Sequence, residues 1–220
     1  LANDFYDGQT TDLRMPARPS LDRPVQRLDA ETGRLDLAVA PPVRELEAIA
    51  PTTLLDRAES VIADFGCNLV GWVRLRVTAP AGTTVTVRHA EVLDGGELSI
   101  RPLRSAEATD RYLLAGGPDE VLEPGFTYHG FRYAEITGLP ANAIVSIEAV
   151  SIGSDLTRTA WFECSDPALT QLHHNVVNSM VGNFLDIPTD CPQRDERLGW
   201  SGDIQVFAPT ASTLFDVSAF

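Results

Sequence analysis

The apolar residues of this chain change their period once, and that single change limits what it can fold into. From about residue 59 to 153 they alternate: "GWVRLRV" places Val73, Leu75 and Val77 on one face, and "TTVTVRH", "FTYHGFRYAEI" and "AIVSIEAVSI" continue the pattern. Alternation of this kind marks half-buried strands. Turn-forming residues punctuate it at "APAGT", "LDGGEL", "AGGPDE" and "GLPAN". Short strands separated by such turns predict an antiparallel β-sandwich.

After Glu163 the spacing becomes helical. "SDPALTQLHHNVVNSMVGNFLD" carries Leu169, Leu172, Val176, Met180 and Phe184 on one stripe, with Ser165 or Asp166 as the N-cap and Pro167 at the first helical position. The pattern predicts a helix over 166–185 and a second over about 203–216, in which Pro209 kinks the axis. Between sandwich and helix, "SDLTRTAWFEC" reads as one more strand. Residues 1–58, with proline runs such as "MPARPSLDRPVQ", read as extended segments and edge strands. Three regions result: 1–58 extended, 59–155 a β-sandwich, and 156–220 the start of a helical domain. Two helices cannot enclose a core alone, so they are expected to pack on the sandwich or on further chain.

Composition removes several classes of function. Against 31 acidic residues stand 17 basic ones, all arginine, giving a formal charge of -14. Neither nucleic acid nor an anionic membrane face is an expected partner. No apolar run approaches the roughly 20 residues of a membrane span. Cys67, Cys164 and Cys191 are scattered and odd in number, so free thiols are expected and no metal-ligand spacing appears. The chain begins at Leu1 rather than Met, which reads as a processed or excised piece and leaves its compartment open.

One segment is dense in chemistry. "DCPQRDERLGWSGD", residues 190–203, holds Asp190, Asp195, Glu196 and Asp203 interleaved with Arg194 and Arg197 and followed by Trp200. Carboxylates beside an aromatic ring suit a sugar: hydroxyls need charged acceptors, the apolar ring face needs an aromatic, and a glycosidic oxygen needs a proton. The plainer reading is a solvated, salt-bridged loop ending in an Asp N-cap. Two prolines with Gly199 and Gly202 argue against it, because they hold the backbone in a shape that solvation does not require. Elsewhere, His89 and His129 read as satisfied polar residues of the sandwich, and Trp72 and Trp161 as core or interface packing.

"DCPQRDERLGWSGDIQVFAPTA" resembles the signature segment of bacterial α-L-rhamnosidases of glycoside hydrolase family 78. "DFGCNLVGWVRLRV", "AGTTVTVRHAEVL", "ATDRYLLAGG" and "EPGFTYHGFRYAEI" are similar to the β-sandwich that precedes the catalytic barrel in that family. The resemblance covers roughly residues 60–216. It implies a sandwich followed by the first helices of a truncated (α/α)6 barrel, and an inverting hydrolase of terminal α-L-rhamnosides that needs no cofactor. Carried over by position, it implies Glu196 as the general acid and Asp190, Arg194, Trp200 and Asp203 as residues that hold the rhamnose ring. Arg194 must then lie nearer the sugar hydroxyls than Glu196, while Asp195 and Arg197 point away and support the loop. The base is expected beyond Phe220, so this chain alone is expected to be inactive. The competing reading is a non-catalytic carbohydrate-binding or scaffold sandwich, with Tyr128, Phe131 and Tyr133 as its aromatic candidates.

Overall fold

In the computed structural model, residues 2–15, 26, 33 and 36–220 are described; most of the proline-rich run "MPARPSLDRPVQ" lies outside them. The strands are β1 Ala2–Asp4, β2 Gly8–Asp12, β3 Val43–Ile49, β4 Thr53–Asp56, β5 Ser60–Val77, β6 Thr84–Ala90, β7 Leu93–Asp94, β8 Glu97–Leu98, β9 Thr109–Leu113, β10 Glu120–Leu122, β11 His129–Thr137 and β12 Ile144–Ser154. Helix α1, Pro167–Asn183, the hairpin of β13 Phe184–Leu185 and β14 Ile187–Pro188, and helix α2, Ser201–Leu214, follow.

Strand β5 organises the sandwich. Along its first half it pairs with β4 and β11, and along its second with β10 and β12. Ten strands therefore join into one sheet that folds over on β5, in the order β1-β2-β9-β6-β11-β5-β12-β3, with β4 and β10 off that path. Pairing is antiparallel except between β2 and β9, which run parallel. Gly71 lies where β5 passes from one set of partners to the other, with φ at 151°. A Cβ there would stand 1.8 Å from the Val150 carbonyl oxygen, so only glycine fits.

The alternation read from the sequence is the alternation of burial. Val73, Leu75 and Val77 are 2% exposed or less, as are Val85, Val87 and His89, whereas Arg74 and Arg76 face outward. Val73, Leu75, Val77, Val85 and Val87, together with Phe65, Leu122, Phe131 and Ile136, belong to the core between the two layers. Each fully buried side chain of this size contributes about 1.5–3 kcal/mol.

Helix α1 starts as its residues dictate. Asp166 caps it, its carboxylate accepting from the Ala168 N–H at 2.9 Å, and Pro167 fills the first turn. Met180 and Phe184 are buried against Ala211, Leu214 and Phe215, while Leu169 and Leu172 stay exposed, so only the C-terminal half of the apolar stripe is covered. Val70, Ile152 and Leu185, with Trp72 and Tyr128 alongside, join the sandwich to the β13–β14 hairpin that follows α1.

Three local expectations differ from the structure. Helix α2 begins at Ser201 after Trp200 rather than at Asp203, because the Trp200 N–H is bound to the Pro188 carbonyl and a bridge joins Thr189 to Gly199, which hold Trp200 extended. Asp203 sits in the first turn. Residues 154–164 add no strand after β12, apart from the isolated bridge of Arg158 with Phe215. The Thr159 and Ala160 N–H groups instead donate to the Leu214 carbonyl, capping the C-terminus of α2. Trp161 is 71% exposed rather than packed.

Candidate functional site

The acidic loop hangs between two fixed points. The β13–β14 hairpin turns at Asp186, and Thr189 then ties back to α1, its N–H and hydroxyl both donating to the Asn183 carbonyl at 2.8 Å. At the other end Trp200 opens α2. Between them the loop lies against the sandwich so closely that a Cβ on Gly130 would stand 2.8 Å from the Gln193 nitrogen.

Asp190, Arg194 and Glu196 come together. Arg194 Nη2 lies 2.8 Å from Glu196 Oε2 and 4.0 Å from Asp190 Oδ2. The expectation that Arg194 stands clear of Glu196 is not met in this structure, where the guanidinium is pinned to the carboxylate. Arg104, from the loop preceding β9, reaches the same oxygen through Nη1 at 3.0 Å. Asp190 and Asp203 line one cavity of about 560 Å³ with Asn183, Phe184, Ile204 and Phe207. Neither Glu196 nor Arg194 lines that cavity. Trp200, 41% exposed, lines none of the cavities that Asp190 borders.

Burial first, and then the Asp190 carboxylate beside it, push the Cys191 thiol up to about 11. Glu91 is raised above the ordinary carboxylate range by burial, against the lowering effect of Arg194, and borders a second cavity shared by Asp190 and Gln193. Asp195 turns to the sandwich, where Ser105 donates to it and Arg104 Nε lies 3.3 Å away; the Ser105 bond, opposed by burial, and then Arg104 hold it below the usual carboxylate value. Asp190, Cys191 and Glu196 bring ligand-type atoms within 4.8 Å of one another, but the cation in their midst is the Arg194 guanidinium.

A second polar cluster lies inside the sandwich. His89 and His129 are stacked, ring centroids 4.2 Å apart, with His89 Nδ1 at 2.9 Å from the Ala108 carbonyl and His129 Nε2 at 3.1 Å from Asp110. Ligand-type atoms of His89, Asp110 and His129 lie within 4.8 Å of one another, and the Asp110 carboxylate is already engaged by His129. Asp110 also accepts from the Gln9 N–H at 2.8 Å, and Gln9 in turn accepts from the Gly125 and Phe126 N–H groups. The cluster thereby anchors the N-terminal strands. Of the sandwich aromatics, Phe131 is fully buried, Tyr128 packs against Phe5, and Tyr133 stacks with Arg132.

Sequence reasoning missed Arg104, Ser105 and Glu91, which the fold brings to the loop from outside it, and no local pattern marks them. The three cysteines are free. Among the described residues no helix is long and apolar enough to cross a membrane.

Two family models match the chain: the bacterial alpha-L-rhamnosidase concanavalin-like domain over residues 56–153, and the bacterial alpha-L-rhamnosidase 6 hairpin glycosidase domain over residues 157–220. An alpha-L-rhamnosidase of Streptomyces avermitilis is 50% identical over 161 residues, 72% of this chain and 16% of its own length. An alpha-L-rhamnosidase of Formosa agariphila is 37% identical across 99% of this chain and 25% of its own. Among solved structures, the Aspergillus terreus enzyme superposes with a TM-score of 0.90 at 41% identity, covering 100% of this chain and 27% of that one. The S. avermitilis enzyme complexed with L-rhamnose does so at 0.90 and 40%, covering 98% of this chain and 22% of that one. The chain thus spans about a quarter or less of the length of most of these relatives. By its sandwich, its helices and its signature loop, it belongs to the bacterial α-L-rhamnosidase family, running from the concanavalin-like domain into the 6 hairpin glycosidase domain.

Proposed function

We propose that the full-length protein carrying this chain hydrolyses terminal α-L-rhamnosides with inversion, and that Glu196 is its general acid. The observation that carries this reading is the grouping of Glu196, Asp190 and Arg194 on one loop, beside a cavity that Asp190 shares with Asp203. Asp190 and Asp203 are acceptors for sugar hydroxyls, Arg194 is a donor to them, and Trp200 offers an aromatic face. Catalysis then runs in one displacement. Glu196 gives its proton to the departing glycosidic oxygen while a carboxylate about 6.5–9.5 Å away activates water on the opposite face of the ring. That base is assigned to chain beyond Phe220, so the 220 residues alone should not turn over.

The contacts on Glu196 set a condition. Arg194 and Arg104 both occupy Oε2, so a proton on Glu196 sits on Oε1 unless the two guanidinium groups release Oε2 when substrate enters. A sugar hydroxyl between Asp190 and Arg194 supplies the exchange, since Asp190 already lies within 4.0 Å of the guanidinium. Following hydrolysis of an aryl α-L-rhamnoside by proton NMR tests the reading: the β-anomer of rhamnose should appear first and then mutarotate. First appearance of the α-anomer would replace inversion with retention, and absence of rhamnose release would remove the assignment.

A further inference from the structure

We infer that Arg197 is a positioning residue for Glu196: the sandwich grips it in an aromatic cage and thereby fixes where the acid stands. The inference rests on the reading of Glu196 as general acid and adds the device that places it. Arg197 follows Glu196 directly, yet it is only 4% exposed. Its guanidinium carbon lies 5.2 Å from the Phe5 ring centroid, 5.4 Å from that of Tyr6 and 5.1 Å from that of Tyr128. Nη1 donates to the Phe5 and Tyr128 carbonyls, both at 2.6 Å, and Nε and Nη2 have no hydrogen-bond partner.

The backbone confirms that the residue is held. Arg197 has φ at 51°, in the left-handed region that bulky residues seldom adopt. The neighbouring peptide is gripped as well, because the Tyr6 hydroxyl donates to the Glu196 carbonyl at 2.9 Å. Glu196 is therefore fixed at its own carbonyl and at the next side chain, both turned into the sandwich, while its carboxylate meets Arg194 and Arg104.

The chemistry of the cage fits this task. A buried cation is usually paired with a carboxylate. Here ring faces and carbonyls hold it instead, and ring faces attract a cation strongly once water is excluded. A carboxylate in their place would set another anion one residue from the acid. Phe5 and Tyr6 stand between β1 and β2, and β2 is secured through Gln9 to the buried Asp110. The N-terminal turn thus belongs to the catalytic architecture, about 190 residues away in sequence from the group it positions.

The test uses the full-length protein with Arg197→Met, Arg197→Lys and Tyr6→Phe, and Glu196→Gln as reference. Rates are measured on methyl α-L-rhamnoside, whose leaving group needs a proton, and on a dinitrophenyl α-L-rhamnoside, whose leaving group does not. A misplaced acid should lower kcat on the methyl rhamnoside about tenfold or more, affect the dinitrophenyl rhamnoside much less, and leave KM unchanged, with Arg197→Lys recovering part of the loss. Tyr6→Phe removes one hydroxyl and keeps the ring, so it carries the test if Arg197→Met does not fold; it should show the same selectivity at smaller size. Equal loss on both substrates, or none in folded variants, would overturn the inference while Glu196→Gln remains leaving-group dependent. If Glu196→Gln itself lacks that dependence, the acid assignment falls and the inference falls with it.

Discussion

His89 should make the stability of the sandwich depend on pH. Its imidazole is fully buried, and burial first, then the neighbouring His129, depress it from 6.5 to about 3. The folded chain therefore keeps His89 neutral well below the pH at which the unfolded chain takes up a proton. Its contribution is complete above about 6.5, is lost progressively as pH falls, and changes no further below about 3. Within that window the loss approaches about 1.4 kcal/mol per pH unit, which integrates to about 2 kcal/mol between about pH 7 and about pH 5. Asp110 does not confuse the measurement. Burial raises it, but the charge and hydrogen bond of His129 outweigh that, so it lies below the ordinary carboxylate value and stays ionised between about pH 5 and about pH 7. His89→Asn sets its amide nitrogen near the place of Nδ1, keeping a donor for the Ala108 carbonyl, and cannot titrate, so its own cost is the same at every pH. Urea unfolding followed by tryptophan fluorescence at pH 7, 6 and 5 gives the gap between wild type and variant. That gap should close by about 2 kcal/mol on acidification; a gap that stays constant would refute the buried, neutral histidine.

Two further outcomes are expected. Gly71→Ala should destabilise the fold by about 3 kcal/mol or more, because the new Cβ would meet the Val150 carbonyl oxygen at 1.8 Å with φ at 151°, and a thermal melt within a few degrees of wild type would contradict the packing between β5 and β12. Thiol labelling without denaturant should be fast at the exposed Cys67 and Cys164 and slow at Cys191, whose thiol is raised to about 11, and uniform rates would contradict that raised value.

What the sequence could disclose was local. Alternation through Val73, Leu75 and Val77 and the Asp166–Pro167 start of α1 are properties of adjacent residues, and both appear in the structure as read. Errors arose where a distant group took the hydrogen bond. The Thr159 and Ala160 N–H groups serve the Leu214 carbonyl rather than a sheet edge, and the Pro188 carbonyl holds Trp200 as the cap of α2 in place of Asp203. The acidic loop was legible because its residues lie together in sequence. Its surroundings were not: Arg104 and Tyr6 reach Glu196 across 92 and 190 residues, and their neighbours in the chain carry no sign of it. Arg197 reads from the sequence as pointing away to support the loop, but the rings that enclose it lie far off in the chain.

If Glu196 delivers the proton, the dependence of kcat/KM on leaving-group pKa will reveal it. Across a series of aryl and alkyl α-L-rhamnosides, the full-length wild-type protein should show a shallow slope, since protonation relieves the departing oxygen of its charge. Glu196→Gln keeps the shape and one accepting oxygen but has no proton to give. It should lose about 10²-fold or more on the poorest leaving groups, and little on the dinitrophenyl rhamnoside, so the slope steepens. A parallel line, displaced equally for every leaving group, would transfer the acid role to another carboxylate, with Asp203 the first to examine.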